Sequence, residues 1–332
     1  MIKTVFWFAF ILIAKIFASE SLHLTNIIQL TSKEIGFKRA GEAYFSPDRS
    51  KIVFQAIAHG EEDYQIYLMD LKEKLPKRIS PGEGPCTCAF FHPTKEKVIF
   101  ASSHSGKRKF SKKEDKKSNR YVWDLVPYMN IYESNYDGTE LVALTEGPSY
   151  HAECGYSHDG KEIVFASNLD GSMNIYTMNA DGSNITQMTY TSHCYNGGPF
   201  FSPDGKKIIF RADPDKKDFL QIYLLDRDTK KQQALTSDES VNWAPFWHPN
   251  GDVIAYTKSL NHHQKYEIYL MNIHTKAEKR LTYESNFNGL PCFSQDGKKF
   301  LWTSKREEET PQIFIADFVM PAELITPELR KK

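Results

Sequence analysis

One phrase of about thirteen residues recurs six times along this chain of 332 residues. The copy "FFSPDGKKIIFRA" begins at Phe200, and "YFSPDRSKIVFQA" begins at Tyr44. An aromatic residue stands before the turn in every copy and marks the register at Phe45, Phe91, Tyr156, Phe201, Trp247 and Phe293. The marks are 46, 65, 45, 46 and 46 residues apart. Self-similarity at this period predicts a repeat architecture in which the second repeat carries an insertion.

Each repeat contains the same succession of short segments that favour strands. The register aromatic ends an apolar segment, and a tight turn of Ser or His, usually Pro, then Asp or Asn and often Gly, follows it. A β-branched run such as "KIIFRA", an alternating segment such as "QIYLLD" and a segment ending in Leu-Thr complete the repeat. Four short strands per repeat are typical of a propeller blade. The predicted fold class is therefore all-β, a six-bladed β-propeller with four strands per blade.

The two ends of the repeat region indicate how the ring closes. The last repeat stops after its third strand, "QIFIADF", which ends at Phe318. The segment "IIQLTS" at residues 27–32 has the Leu-Thr form of a fourth strand. We therefore expect this N-terminal strand to complete the last blade, because closure removes free sheet edges. An open solenoid, the structural alternative, would need atypical capping repeats.

The first residues of the chain read as a targeting segment. An early lysine precedes an apolar run at 5–14, which is too short to span a bilayer comfortably, and small residues follow it. This pattern predicts a cleavable signal peptide at 1–19, although the late Lys15 leaves an uncleaved membrane anchor as the alternative. The propeller would occupy 20–320 and a C-terminal tail 321–332. Export implies a periplasmic or secreted protein with no transmembrane domain after cleavage.

Charge and cysteine content exclude two classes of protein. The net charge is +0 and the pI is about 7.2, whereas a nucleic-acid-binding protein needs a basic surface. The five cysteines are an odd number, so they do not indicate a disulfide framework. We expect them to be small buried residues of inner strands, in a monomeric protein.

The repeated wording resembles the propeller blades of the TolB family. The resemblance rests on the phrases "FSPDGKKIIF", "IYLLD" and the closing Leu-Thr, and it extends from about Ile27 to Phe318. It implies the propeller fold and says little about activity. TolB of the Tol–Pal envelope system has an additional α/β domain before its propeller, and we expect no counterpart of that domain here, because the repeats begin almost directly after the predicted signal peptide.

Candidate site residues lie where each first strand begins, because that strand lines the central channel of a propeller. Five positions before the register aromatic the repeats have Ala40, Cys86, His151, Asn196, Asn242 and Asn288. Three positions before it they have Glu42, Cys88, Glu153, Gly198, Ala244 and Leu290. Strand alternation would put both positions on one face. We interpret His151, Glu153, Asn196, Asn242, Asn288 and Glu42 as a polar ring that binds a ligand at the channel mouth. The alternative is that the asparagines fasten loop backbone in every blade.

Trp243 lies beside the same mouth and could stack on a sugar or a peptide, or simply pack at the rim. His, carboxylate and thiol side chains are ligand types that could suit a divalent metal in the channel. The spacing of His151 and Glu153 is a weak metal signal, so we expect no cofactor and leave the metal site unassigned.

The insertion in the second repeat spans about 104–125 and is basic. Eight of the fourteen residues from Lys107 to Arg120 are Lys or Arg. It could contact an acidic partner, or it could be a solvated hairpin extension.

These features favour a ligand- or protein-binding scaffold of the cell envelope, with a protein, glycan or peptide ligand at the channel mouth. The alternative is a hydrolase or lyase that acts on carbohydrate or peptide there, with His151, Glu42 and Glu153 as its reactive groups. The Gly-x-Ser-x-Gly elbow of propeller-linked hydrolases does not occur in the sequence. Catalysis is therefore less expected than binding.

Overall fold

The computed structural model describes residues 22–106, 125–217, 219–260, 265–284, 287–306 and 310–325. The predicted signal peptide, most of the predicted insertion and the end of the predicted tail lie outside these residues.

The described chain forms six antiparallel sheets of four strands, and each sheet is one blade. Blades one to five take four consecutive strands each, and blade six combines the last three strands with the first. The strands are β1 (Leu24–Gln29), β2 (Phe37–Phe45), β3 (Lys51–Ala58), β4 (Gln65–Asp70), β5 (Pro76–Arg78), β6 (Cys86–Phe91), β7 (Lys97–Ser102), β8 (Asn130–Asn135), β9 (Val142–Ala143), β10 (His151–Tyr156), β11 (Glu162–Ser167), β12 (Asn174–Asn179), β13 (Thr186–Gln187), β14 (Asn196–Phe201), β15 (Lys207–Ala212), β16 (Gln221–Asp226), β17 (Gln232–Ala234), β18 (Asn242–Trp247), β19 (Val253–Leu260), β20 (Lys265–Asn272), β21 (Glu278–Arg280), β22 (Asn288–Phe293), β23 (Lys299–Ser304) and β24 (Gln312–Phe318).

The predicted fold is confirmed, including the closure of the ring by the N-terminal strand. β1 pairs antiparallel with β24, so that Thr25 lies opposite Asp317. β1 covers Leu24–Gln29 and begins three residues earlier than the sequence pattern indicates. The Leu-Thr pair comes just after the strand, because its threonine pairs through its side chain and not through its backbone.

That threonine ties the fourth strand of a blade to the third. In blade six the Ile313 N–H donates to Thr31 Oγ1 at 2.9 Å. In blade three the Ile175 N–H donates to Thr189 Oγ1 at the same distance. The equivalent bond occurs in the other four blades, with Ser80 replacing threonine in blade one. The Leu-Thr ending is therefore repeated because each blade uses the hydroxyl to pair its short outer strand.

Most of the apolar core lies between neighbouring blades. The register aromatic Phe201 of blade four packs with Val164 and Ile175 of blade three. Phe293 of blade six likewise packs with Val253 and Ile268 of blade five. Burial of these side chains against the next sheet stabilises the ring, at about 1.5–3 kcal/mol for each large apolar side chain.

The centre of the ring is filled by aromatic side chains. Tyr44, Phe90, Phe200 and Phe246 each stand one position before a register aromatic. Their ring centroids are 5.0 Å apart for Tyr44 and Phe90 and for Phe200 and Phe246. Phe200 also lies 5.8 Å from both Tyr44 and Phe90. This aromatic plug closes the channel, so that each face of the ring has its own depression.

The two faces of the ring follow from the strand directions. First strands begin at one face, here called the mouth face, and end at the Ser/His-Pro turns of the other, the turn face. No helix among the described residues is long and apolar enough to cross a membrane.

Candidate functional site

A β-bulge interrupts every first strand at the candidate positions. The register shifts directly after the residue four positions before the aromatic, as between Ala152 and Gly155 in β10. The residue three positions before the aromatic has a positive φ in all six blades, between 49° and 57°. The expectation that this position shares a strand face with the position two residues earlier is therefore wrong. A left-handed residue turns the chain between them, and the two side chains point to different neighbours.

The three predicted asparagines face the preceding blade rather than the channel. Each is almost completely buried. Their Nδ2 groups donate at 2.9 Å to polar atoms of that blade, Asn196 to the Met173 carbonyl, Asn242 to Gln221 Oε1 and Asn288 to Glu267 Oε2. These contacts fasten one blade to the next.

His151 is also buried between strands. Its Nδ1 lies 2.9 Å from Ser167 Oγ, and its ring packs on Phe165. Burial lowers the pKa of the imidazole to about 4, so the ring is neutral at pH 7. His151 and Glu153 therefore have different partners, although only one residue separates them in sequence.

Glu153 lies instead in a buried ion pair with Arg211 of blade four. Arg211 Nη2 is 2.5 Å from Glu153 Oε1, and the Tyr195 hydroxyl donates to the same oxygen at 2.7 Å. The Gly198 N–H donates to Glu153 Oε2 at 2.6 Å. Burial opposes the charge of Arg211, but Glu153 and Tyr195 outweigh it and the pKa of the guanidinium is raised. Both carboxylate oxygens of Glu153 are thus committed within the fold.

Two glycines of blade four make room for this ion pair. A Cβ at Gly197 would collide with Glu153 and Tyr195, and a Cβ at Gly198 would collide with Arg211. Sequence reasoning missed Arg211. A signal was present, since the equivalent position of the other five blades holds Gln, Ala or Thr and the Gly-Gly pair occurs in this blade alone.

Glu42 occupies the bulge of blade one and is half-buried. Its partners are distant, with the Tyr44 hydroxyl 3.4 Å from Oε1 and the Cys88 thiol 3.8 Å from Oε2. Burial raises the pKa of Glu42 to about 7, and the negative charge of Glu153 adds to this effect while Arg211 reduces it. A large fraction of Glu42 is therefore protonated at neutral pH.

Glu42, Glu153 and Trp243 line one cavity of about 60 Å³ together with Cys88 and Arg211. We call it the acidic vestibule. Its remaining walls are apolar and come mainly from the bulges and prolines of the first strands, namely Tyr44, Cys154, Gly198, Phe200, Ala244, Pro245, Leu290 and Pro291. A second cavity of about 140 Å³ lies at the turn face, where aromatic and proline side chains line it.

The part of the chain that the structure describes has no group of three or more His, Cys, Asp and Glu side chains placed to hold a metal ion. All five cysteines are free thiols. The absence of a cofactor stays a prediction.

Several exposed apolar side chains lie in loops of the mouth face. The loops between second and third strands, and between fourth and first strands, meet at this face. Tyr190 is 70% exposed and Leu169 is 50% exposed, and both belong to such loops of blade three. We call the exposed apolar residues of these loops the mouth-face patch, which consists of Ile35, Leu125, Tyr128, Leu169, Tyr190 and Tyr283.

Known proteins resemble this chain in sequence and in structure. The family model described as "TolB beta propeller domain" matches residues 127–258 and 216–322. The Tol-Pal system protein TolB of Francisella tularensis subsp. mediasiatica (strain FSC147) is 34% identical over 113 residues. That alignment covers 33% of this chain and 26% of the relative, so it spans about a quarter of the relative's length.

Two solved structures illustrate the likeness of fold. The putative TolB from Agrobacterium tumefaciens has a TM-score of 0.60 at 19% identity, over 85% of this chain and 91% of its own. An oligogalacturonate lyase from Vibrio parahaemolyticus has a TM-score of 0.60 at 14% identity, over 93% of this chain and 97% of its own. The TM-scores show that the fold is shared, whereas identities this low do not show a shared activity. The family match itself covers more than half of the residues, and the chain belongs to the TolB β-propeller domain family.

Proposed function

We propose that this protein is a non-enzymatic binding scaffold of the cell envelope, and that it takes a protein partner on its mouth face in the periplasm or outside the cell. Its family membership supports a protein-binding role, because the curated relatives are named as proteins of the Tol-Pal system. The predicted signal peptide supports export.

The mouth-face patch is the observation that carries this proposal. Single exposed apolar residues are common, but a set of them on one face is typical of an interaction site. Tyr128, Tyr190 and Tyr283 supply rings of the kind enriched in protein interfaces. The aromatic plug closes the channel beneath them, so a partner would rest on the face rather than pass through the ring.

The basic insertion leaves the propeller at the same face, since residues 106 and 125 both belong to the loop between β7 and β8. We propose that it contributes contacts to an acidic region of the partner. Deletion of residues 107–119 should then weaken binding more at low salt than at high salt, because salt screens such contacts.

A propeller enzyme acting on carbohydrate has less support. Oligogalacturonate lyases share the fold, but His151 contacts Ser167 and both Glu153 oxygens are bound by Arg211, Tyr195 and Gly198. Neither side chain is then free to transfer a proton to a substrate, which leaves Glu42 without the second reactive group that such a mechanism requires. Turnover of an oligogalacturonate by the purified protein would restore this alternative.

Site-specific photocrosslinking in envelope preparations tests the proposal. A photoreactive residue at Tyr190 or Leu169 should capture the same protein. The matched control is Ile185, which is 42% exposed in blade three but lies in the hairpin at the turn face. Equal capture from Ile185, or no common product from the two mouth-face positions, would contradict docking at the mouth face.

A further inference from the structure

The acidic vestibule contains one carboxylate that the fold does not use. Glu153 receives three short hydrogen bonds and the charge of Arg211. Glu42 receives only the long contacts from Tyr44 and Cys88. A carboxylate has about four lone-pair positions, so Glu42 keeps most of its acceptor capacity facing the cavity.

Comparison with the other blades indicates that the structure of blade one does not require a carboxylate at position 42. The bulge position needs a residue that tolerates a positive φ, and three other blades use Cys88, Ala244 and Leu290 without any carboxylate. The structural hydrogen bond at this position comes from the backbone, since the Glu42 N–H donates to Thr303 Oγ1 at 3.1 Å. A partly buried carboxylate opposes folding unless something pairs with it. Its presence at a position where apolar side chains suffice indicates a ligand.

The charged and aromatic residues that line the vestibule indicate which class of ligand it could bind. Its charges are those of Glu42, Glu153 and Arg211, and the last two neutralise each other. When Glu42 is ionised, its negative charge is therefore in excess, and a cation would balance it. The aromatic side chains of Trp243 and Tyr44 add surfaces that favour a cation.

Volume and donor number are both compatible with an ammonium cation. A volume of about 60 Å³ is enough to admit an ammonium group with its last methylene. An ammonium carries three N–H donors, which can occupy the free lone pairs of Glu42.

We propose that the acidic vestibule binds a primary ammonium group, presented by the protein partner and held by the Glu42 carboxylate. This inference rests on the proposed function, since the partner on the mouth face would supply the group. The donor is a lysine side chain or an N-terminal amine, and both have the same chemistry.

Binding should depend on pH through Glu42. The groups that face its carboxyl are Tyr44 on its own strand, Cys88 of β6, Glu153 and Cys154 of β10 and Arg211 of β15. The pKa of Glu42 is about 7, so its carboxyl changes charge near neutral pH. Ammonium stabilises the ionised form, so affinity should rise by about tenfold or more from pH 5.5 to pH 8.

Saturation-transfer NMR on the full protein with n-propylammonium chloride provides the test. We expect signal transfer to propylammonium at pH 8, a loss of at least tenfold in affinity in Glu42→Gln, and no specific transfer to 1-propanol. Nα-acetyl-lysinamide and alaninamide then separate a side-chain amine from an N-terminal amine. Equal signals for amine and alcohol, displacement by equimolar potassium, or unchanged binding in Glu42→Gln would each overturn the proposal.

The same variant separates this inference from the proposed function. If the crosslink from Tyr190 forms in both proteins but the amines do not bind even to the wild-type protein, the ammonium site is refuted and the scaffold stands. If the amines bind and the crosslinks are absent, the scaffold and its role in presenting the ammonium group are refuted, and only ammonium binding by the vestibule stands.

Discussion

Replacement of Glu42 by glutamine should make the protein more stable above neutral pH. The amide keeps the size of the side chain and removes the charge that burial opposes. The pKa of Glu42 rises from 4.5 to about 7 on folding. A difference of this size corresponds to about 3 kcal/mol in the free energy of unfolding, and solvent access to the half-buried side chain reduces it to about 2 kcal/mol.

The sign follows from proton binding. Between pH 4.5 and about 7 the folded protein holds a proton on Glu42 that the unfolded chain has lost. The wild-type protein therefore loses this stability as pH rises through that window, and the glutamine variant does not. The two proteins should unfold at nearly the same denaturant concentration at pH 4.5, and the variant should be more stable by about 2 kcal/mol at pH 8.

Urea denaturation of both proteins at pH 4.5, 6, 7 and 8 measures this difference, and other titrating groups cancel in the comparison. Glu153→Gln is the matched control. It removes the carboxylate that neutralises the buried guanidinium of Arg211, so it should destabilise the fold by about 3–5 kcal/mol at every pH. If Glu42→Gln is less stable than wild type at pH 8, then the Glu42 carboxylate is held ionised and the argument for an unused charge fails.

Four further outcomes are expected. Asn242→Ala should lower the free energy of unfolding by about 1–3 kcal/mol, because it leaves a buried partner unpaired; a neutral effect would contradict a role in fastening the blades. Gly198→Ala should destabilise the fold by more than 2 kcal/mol, whereas Gly205→Ala, which has positive φ but open space, should cost about 1 kcal/mol; equal losses would show that Arg211 does not need the space. Thr31→Val should cost about 1–2 kcal/mol in thermal unfolding through the lost bond to Ile313, and an unchanged midpoint would mean that this bond does not hold the closing strand. Reductant should leave the melting temperature unchanged, because all five cysteines are free thiols, and a shift would reveal a disulfide.

The sequence predicted the propeller because every blade repeats the same physical requirements. The turn after the register aromatic, the alternating third strand and the Leu-Thr ending each have one local cause, so six copies reinforce one interpretation. The bounds of β1 were less accurate because Thr31 acts through its side chain after the strand has ended.

The candidate site was harder to predict because it depends on backbone geometry. Strand alternation holds only for regular pairing, and the positive φ at residues such as Glu42 and Leu290 is not visible in a sequence without glycine there. Arg211 lies on a second strand, and its reach to Glu153 depends on two glycines of another strand. The residues that depart from the repeat in blade four, Arg211 and the Gly-Gly pair, indicated this site better than the presence of chemically reactive residue types did.

The closing pair of strands sets the order in which this protein can be completed. Of the strands described, β1 leaves the ribosome first, and β24, to which it pairs, is synthesised last. Contacts this distant in sequence form slowly. If synthesis stops before residue 312, β1 has no strand with which to pair. Its free backbone groups could then pair with a strand of another chain, which favours aggregation.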